Sequence, residues 1–88
     1  MFYYVYVLLS KKDKGLYVGF TDNLKKRIIE HNKGNNESTK NRRSLELIYS
    51  ECYKNKKDAM QREKYLKTGW GRNYLIKTLS NYFNESKI

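Results

Sequence analysis

The first stretch of the chain is almost wholly apolar. Residues 2–9 read FYYVYVLL, and their aromatic and β-branched side chains are typical of a β-strand. Because successive side chains point to opposite faces of a strand, we expect Tyr4, Tyr6 and Leu8 to share one face. Tyrosine buries a large ring and keeps a polar tip, so this face can join a core and also present chemistry.

A polar turn and a second strand follow. Residues 11–15, KKDKG, predict a turn in which Gly15 takes a positive φ, and residues 16–20, LYVGF, predict the returning strand. Tyr17 and Gly19 then share a face of an antiparallel hairpin. Because glycine has no side chain, Gly19 would leave an opening for a ligand beside the backbone.

Helical spacing begins after residues 21–23, Thr-Asp-Asn, which are all good N-caps. Leu24, Ile28 and His31 recur at i, i+4 and i+7, the spacing of one helix face. Arg27 precedes His31 by four residues, so the two side chains are neighbours on the surface of that helix.

The middle of the chain changes from a polar segment to one in which apolar and polar side chains alternate. Residues 32–44 contain no apolar side chain and predict a long polar loop, which in a compact domain is usually functional or mobile. Residues 45–53, LELIYSECY, predict a third strand with Leu45, Leu47 and Tyr49 on one face.

The last third of the chain is helical in pattern. Residues 56–67 predict a helix, residues 68–71, TGWG, a break, residues 72–83 a second helix, and residues 84–88 a mobile tail. The first of these helices places four residues on one side: Ala59, Met60, Glu63 and Leu66. The order β-β-α-β-α-α predicts a single α+β domain over residues 1–88, with a three-stranded antiparallel sheet flanked by helices.

The composition of the chain limits the classes of molecule that it is expected to bind. Nineteen Lys and Arg against nine Asp and Glu give a formal charge of +10 on 88 residues, which favours a polyanion. No apolar run approaches the roughly 18 residues needed to span a bilayer. One cysteine and one histidine exclude an internal disulfide and a Cys/His zinc cluster. We expect a cytoplasmic protein that binds nucleic acid and no membrane.

The candidate chemical groups each have an ordinary structural explanation. Glu63 on the apolar side of its helix needs a partner, and a neighbouring Lys or Arg is a commoner partner than a metal. Arg27 suits a phosphate because of its planar fork, and His31 suits proton transfer, but both can also be surface groups. Tyr6 and Tyr17 can be core aromatics, or a phenol pushed toward phenolate by a cation.

Taken together, these residues resemble the GIY-YIG nuclease family. The two motifs that name the family are similar to YVY at 4–6 and YVG at 17–19, with Tyr4 in place of the first glycine. The family's arginine, the following histidine and the glutamate match Arg27, His31 and Glu63. Similarity to small stand-alone bacterial members extends over STKNRR, ELIY and REKYLKTGWGR, so it covers nearly the whole chain.

The resemblance implies hydrolysis of DNA phosphodiester bonds with a single Mg²⁺ or Mn²⁺, and a role in DNA repair or processing. Glu63 would hold the metal, Arg27 would stabilise the transition state, His31 would assist, and Tyr6 or Tyr17 would be the base. The residues expected to contact DNA are Gly19, Lys26, Thr39, Lys40, Arg42 and Arg43. Branched or structured DNA is a candidate substrate.

Two alternatives remain open from the sequence. A binding module for DNA or structured RNA with little or no cleavage would explain the charge equally well. A nuclease that cuts only when a partner protein presents the substrate would also fit this chain.

Overall fold

Three strands form one antiparallel sheet with helices on both of its faces. The strands are β1 (Tyr3–Ser10), β2 (Leu16–Thr21) and β3 (Leu45–Tyr53), in the order β2-β1-β3. The helices are α1 (Leu24–Asn32), α2 (Lys56–Leu66), α3 (Gly69–Thr78) and α4 (Ser80–Glu85). This computed structural model describes residues 1–85. The expected α+β class and antiparallel sheet are confirmed, with one helix more than the sequence predicted.

The central strand β1 separates two apolar clusters, because its side chains alternate between the faces of the sheet. On one face, Tyr6 and Leu8 pack with Leu45 and with Leu24 and Ile28 of α1. On the other face, a larger cluster joins the sheet to α2 and α3: Val5, Val7, Val18, Ala59, Leu66 and Leu75. We call these the α1 face and the α2–α3 face.

The third strand does not keep the single face that its sequence predicts. A register shift opposite Val7 and Leu8 inserts an extra residue, since Val7 pairs with Tyr49 whereas Leu8 pairs with Leu47. Such a bulge reverses the in–out alternation beyond it. Leu45 therefore packs on the α1 face and Tyr49 on the α2–α3 face.

The hairpin turn differs from the prediction in one backbone angle. Lys14 adopts the positive φ, 63°, while the only glycine with a positive φ in the described residues is Gly34. The turn is instead fixed by Asp13, whose carboxylate accepts a 2.7 Å hydrogen bond from the Gly15 amide. A local side-chain bond of this kind replaces the conformational freedom that a glycine would supply.

The residues TGWG begin a helix as well as ending one. Thr68 caps α3, with its hydroxyl accepting from the Gly71 amide at 3.2 Å. A Cβ built on Gly71 would overlap the backbone of α2, so glycine here allows the two helices to meet closely. The predicted helix over 72–83 is divided between α3 and α4. Asn84 and Glu85 complete α4, and residues 86–88 of the predicted tail lie outside the described residues.

The polar segment 33–44 folds back onto the hairpin in a series of turns. The two ends of the segment are held together because the Asn32 side chain, just before it, exchanges two 2.9 Å hydrogen bonds with the backbone of Leu45, just after it. The Ser10 hydroxyl donates to the Arg42 carbonyl at 2.6 Å, and Arg42 pairs with Asp13 at 2.7 Å. These contacts attach the segment to the sheet. No helix within residues 1–85 is long and apolar enough to cross a bilayer.

Candidate active site

Tyr6 is fully buried and lies against Gly19, its direct partner on β2. A Cβ built on Gly19 would overlap the Tyr6 ring and hydroxyl. The space that the sequence assigned to a ligand is therefore occupied by the Tyr6 ring. Gly19 is needed because the Tyr6 ring lies across its backbone, in the space that a side chain would fill.

The Tyr6 hydroxyl begins a buried chain of hydrogen bonds. It lies 2.8 Å from His31 Nε2, and His31 Nδ1 lies 2.7 Å from the hydroxyl of Thr39. All three residues are fully buried. Thr39, which the sequence analysis expected to contact DNA, therefore uses its hydroxyl to hold the imidazole from the loop side.

Tyr17 completes an aromatic cluster around the histidine. Its ring centre lies 5.0 Å from that of His31, in an edge-to-face arrangement, and 6.3 Å from that of Tyr6, with the two tyrosine rings tilted by 42°. The two strand tyrosines and the helix histidine thus lie in mutual contact, which the sequence did not predict. Such edge-to-face packing fixes ring orientation as well as burying area.

Burial decides the protonation state of the cluster. Desolvation raises the pKa of Tyr6 to about 12, although the Arg27 guanidinium beside it acts in the opposite direction. Burial also lowers the pKa of His31 below 6.5, and the positive charge of Arg27 adds to this. At neutral pH, Tyr6 is therefore a phenol and His31 a neutral imidazole. The expected push toward phenolate is outweighed by desolvation.

Arg27 lies at the boundary between this cluster and solvent. Its guanidinium is beside the Tyr6 hydroxyl and pairs loosely with Glu30, with 3.5 Å between Nη1 and Oε1. Its Nε is buried, and no atom of the described residues accepts a hydrogen bond from it. Arg27 also borders an open cleft whose lining carries Lys26 and Lys56 as well as the carboxylates Asp22 and Glu30. A buried donor without an acceptor, at the edge of an open cleft, suits an incoming oxyanion.

Glu63 lies on α2, across the sheet from α1. Its carboxylate accepts a 3.0 Å bond from Lys67 one turn later, which is the ion pair that the sequence analysis weighed against a metal. The side chain remains 22% exposed. Its negative charge also contributes to the raised pKa of Tyr6, after burial and the larger effects of Arg27 and Tyr17. Glu63 thus influences the tyrosine cluster electrostatically.

The donor set around Glu63 limits the kind of metal that would fit. Within residues 1–85, no group of three His, Cys, Asp or Glu side chains is placed to hold an ion. Mg²⁺ and Mn²⁺ fit such a site because one carboxylate, substrate phosphate and several waters can complete their coordination. A transition-metal site built from several side chains does not fit.

The basic residues of the polar segment are not equally free. Arg42 is engaged with Asp13 through two nitrogen atoms, which lowers the pKa of Asp13 to about 2. Lys40 pairs with Glu37 at 3.1 Å. Arg43 is exposed and donates from Nε to the Lys40 carbonyl at 3.0 Å. Of these three side chains, Lys40 and Arg43 border an open basic cleft together with Lys12.

Two structural roles had no signal in the sequence. The bond from Thr39 to His31 spans eight residues, and the pair Asp13–Arg42 spans 29. Nothing in residue spacing within a loop indicates such contacts, because they depend on how the loop folds back.

The sequence model of the GIY-YIG catalytic domain matches residues 2–77. The chain belongs to the GIY-YIG family. The GIY-YIG motifs are the two strand segments that bring Tyr6 and Gly19 together, so the feature that names the family is also the floor of this site. Membership places the chain in a family of nucleases.

The relatives of this GIY-YIG chain are small proteins. It is 41% identical over 87 residues to a UPF0213 protein of Bacillus pumilus, covering 98% of this chain and 83% of that one. It is 46% identical over 65 residues to a UPF0213 protein of Clostridium perfringens, covering 73% and 69%. The solution NMR structure of a UPF0213 protein of Bacillus halodurans superposes with a TM-score of 0.57 at 28% identity, covering 89% and 85%. These names state no substrate.

Proposed function

We propose that this GIY-YIG protein is an endonuclease that hydrolyses DNA phosphodiester bonds with one Mg²⁺ or Mn²⁺. The observation that carries the proposal is the cluster of Tyr6, Tyr17, His31 and Arg27, in which a buried guanidinium donor lacks an acceptor within the described residues. A phosphate oxygen supplies that acceptor. The formal charge of +10 favours the polyanionic substrate.

The proton path follows the hydrogen bonds. With His31 Nδ1 donating to Thr39, the unprotonated Nε2 accepts from Tyr6. As Tyr6 takes a proton from the attacking water, it passes its own proton to His31. The water oxygen bonds to phosphorus, the bond to the departing DNA oxygen breaks, and that oxygen takes a proton from solvent, to which His31 later returns its own. This step needs no free phenolate, which a pKa of about 12 makes scarce at neutral pH. Tyr17 borders the same imidazole and orients the water or the phosphate.

The charged residues act on the phosphate. Arg27 donates to a non-bridging oxygen, whose negative charge grows as the water attacks. Glu63 would hold the divalent ion after releasing Lys67. When bound there, such an ion neutralises phosphate charge and makes its bound water more acidic. Lys26 lines the same open cleft as Arg27 and would contact the neighbouring phosphate.

The experiment measures cleavage of labelled single-stranded, duplex and branched DNA with Mg²⁺ or Mn²⁺, using wild type and Glu63→Gln. This substitution keeps the size of the side chain but removes its charge, and Met60→Gln on the same helix is the matched control. We expect Glu63→Gln to lose cleavage by at least about 100-fold while binding in chelator survives. Retention of cleavage by Glu63→Gln would refute the metal assignment.

Binding without cutting on every substrate would instead support a nucleic-acid-binding module or a nuclease that needs a partner protein. A preference for branched over duplex DNA would favour a role in DNA repair or processing.

A further inference from the structure

A third cleft separates β2 from the junction of α2 and α3, on the α2–α3 face of the sheet. We propose that this cleft, the β2 cleft, receives one unpaired nucleobase of the DNA beside the bond that is cut. The proposal rests on the proposed function and narrows its substrate to DNA that carries an unpaired nucleotide.

The β2 cleft has the size and lining of a site for one flat apolar group. Its volume is about 290 Å³, at the small end of the range for ligand sites. Three of its residues, Val18, Leu66 and Leu75, are among the most buried apolar side chains of the protein and form its floor. An apolar floor suits the faces of a nucleobase.

The rim of the β2 cleft is positive. Lys67 and Arg72 border it, and none of the residues that line it within the described chain is acidic. Arg72 is exposed, and its guanidinium forms no salt bridge with any carboxylate of residues 1–85. Two cations above an apolar floor match a nucleotide, which has an apolar base attached to an anionic phosphate.

The cleft shares Tyr17 with the proposed catalytic cluster and reaches Glu63 through Lys67. Tyr17 borders the cleft and contacts His31. Lys67 borders the cleft and pairs with Glu63 at 3.0 Å. A metal ion on Glu63 would free Lys67 for a phosphate at the rim. A nucleotide in the cleft would therefore lie beside the ion that Glu63 would hold, with Tyr17 of the edge strand β2 between the cleft and His31.

A paired base cannot enter a cleft of this size, because it is held within a duplex that is far wider. An unpaired base, in a bulge, branch or single strand, enters at little unstacking cost. The β2 cleft thus selects for unpaired nucleotides by size, while phosphate contacts elsewhere bind any DNA.

The experiment uses a fluorescein-labelled duplex with one bulged 2-aminopurine, and the same duplex fully paired, in chelator. We expect the full chain to bind the bulged duplex about tenfold more tightly, the order that one stacked base contributes. We also expect bound 2-aminopurine to be shielded from quenching by acrylamide. Equal affinity for the two duplexes, or a base still open to acrylamide, would overturn the proposal.

Matched variants locate the effect. Arg72→Ala removes a positive charge from the rim of the cleft, and Lys77→Ala removes a positive charge at the far end of α3. Arg72→Ala should lose the preference for the bulged duplex, and Lys77→Ala should keep it. The same preference in both variants would overturn the proposal.

This test separates the two proposals. Preference for the bulge, together with no metal-dependent cutting in the cleavage experiment, would refute a nuclease that acts alone and support the base site. Metal-dependent cutting of both duplexes, with no preference in binding, would support the nuclease and overturn the base site.

Discussion

Tyr6 has three neighbours that decide its chemistry. The Gly19 backbone supports its ring, His31 accepts at its hydroxyl, and Arg27 lies beside it. Each neighbour comes from a different direction, so the hydroxyl is closely held. Because catalysis depends on the exact position of such a hydroxyl, small changes in the residues around Tyr6 should alter its activity.

Gly19→Ala should disturb Tyr6 directly. The added methyl group overlaps the Tyr6 ring, and β1 and β2 cannot separate without losing their pairing. We expect a loss of about 1–3 kcal/mol in the free energy of unfolding and a lower cleavage rate. Denaturant unfolding measures the stability loss, and Gly69→Ala is the control because a Cβ built at that site meets no heavy atom within 4 Å. An unchanged free energy of unfolding would contradict the packing described.

His31 should titrate below its ordinary value. Burial lowers its pKa from 6.5, so folding stability that is present above about pH 6.5 is lost as the pH falls through the lower folded pKa. His31 is the one histidine among the 88 residues, so its imidazole NMR signals are unambiguous. We expect the titration midpoint of these signals to lie below pH 6.5. A midpoint at or above pH 6.5 would contradict the claim that His31 accepts from Tyr6 as a neutral imidazole. Cleavage should fall over the same pH range.

At the scale of elements, one carboxylate joins β3 to α2. Glu51 accepts from two nitrogen atoms of Arg62, at 2.8 and 3.0 Å, and from the hydroxyls of Tyr49 and Tyr53. Arg62 also lies over the rings of Tyr65 and Tyr74. Because α2 carries Glu63, this network fixes the position of the proposed metal ligand relative to the sheet.

Arg62→Ala should therefore loosen α2. Burial would raise the pKa of Glu51, but the bonds from Arg62, Tyr49 and Tyr53 lower it overall, so stability falls as the pH drops through that lowered pKa. We expect Arg62→Ala to cost about 1–3 kcal/mol and to weaken this acid dependence. Chemical denaturation at pH 7 and pH 4 measures both. Arg72→Ala, on an exposed side chain, should cost about 0.5 kcal/mol or less, and equal costs would contradict the network.

Most elements were predictable because they depend on local periodicity. The hairpin, the strand 45–53 and the helix face of Leu24, Ile28 and His31 all follow from spacing. The bulge in β3 and the start of α3 at Gly69 were not predictable, since the first depends on pairing with β1 and the second on packing against α2. The contacts between the tyrosines and His31 depend on how α1 packs on the sheet, and the Thr39 bond depends on the fold of a loop, so neither was predictable from spacing.

At the scale of the whole molecule, charge would govern the proposed binding of DNA. The formal charge of +10 is spread over the chain, but local ion pairs decide which side chains are available. Asp13 holds Arg42, whereas Arg43 is exposed and Lys40 has only an exposed pair with Glu37. The phosphate-contacting arm proposed for the polar segment therefore depends on Lys40 and Arg43 more than on Arg42.

Reversing the charge of Lys40 and Arg43 together should weaken duplex binding and reduce the salt slope by about two, one for each lost phosphate contact. The measurement is the dissociation constant against salt concentration. The matched control reverses Lys64 and Lys77, two exposed lysines outside the polar segment, and should change the slope less. The same slope in both double variants would contradict the arm.

The most direct test of the account is the cleavage rate of Tyr6→Phe under single-turnover conditions with Mg²⁺. The variant keeps the ring over Gly19 and removes only the hydroxyl that bonds to His31. We predict a loss of about 100-fold or more, with folding and DNA binding intact and with Tyr4→Phe, on the same strand, close to wild type. Equal rates for wild type and Tyr6→Phe would contradict the claim that this hydroxyl takes part in cleavage.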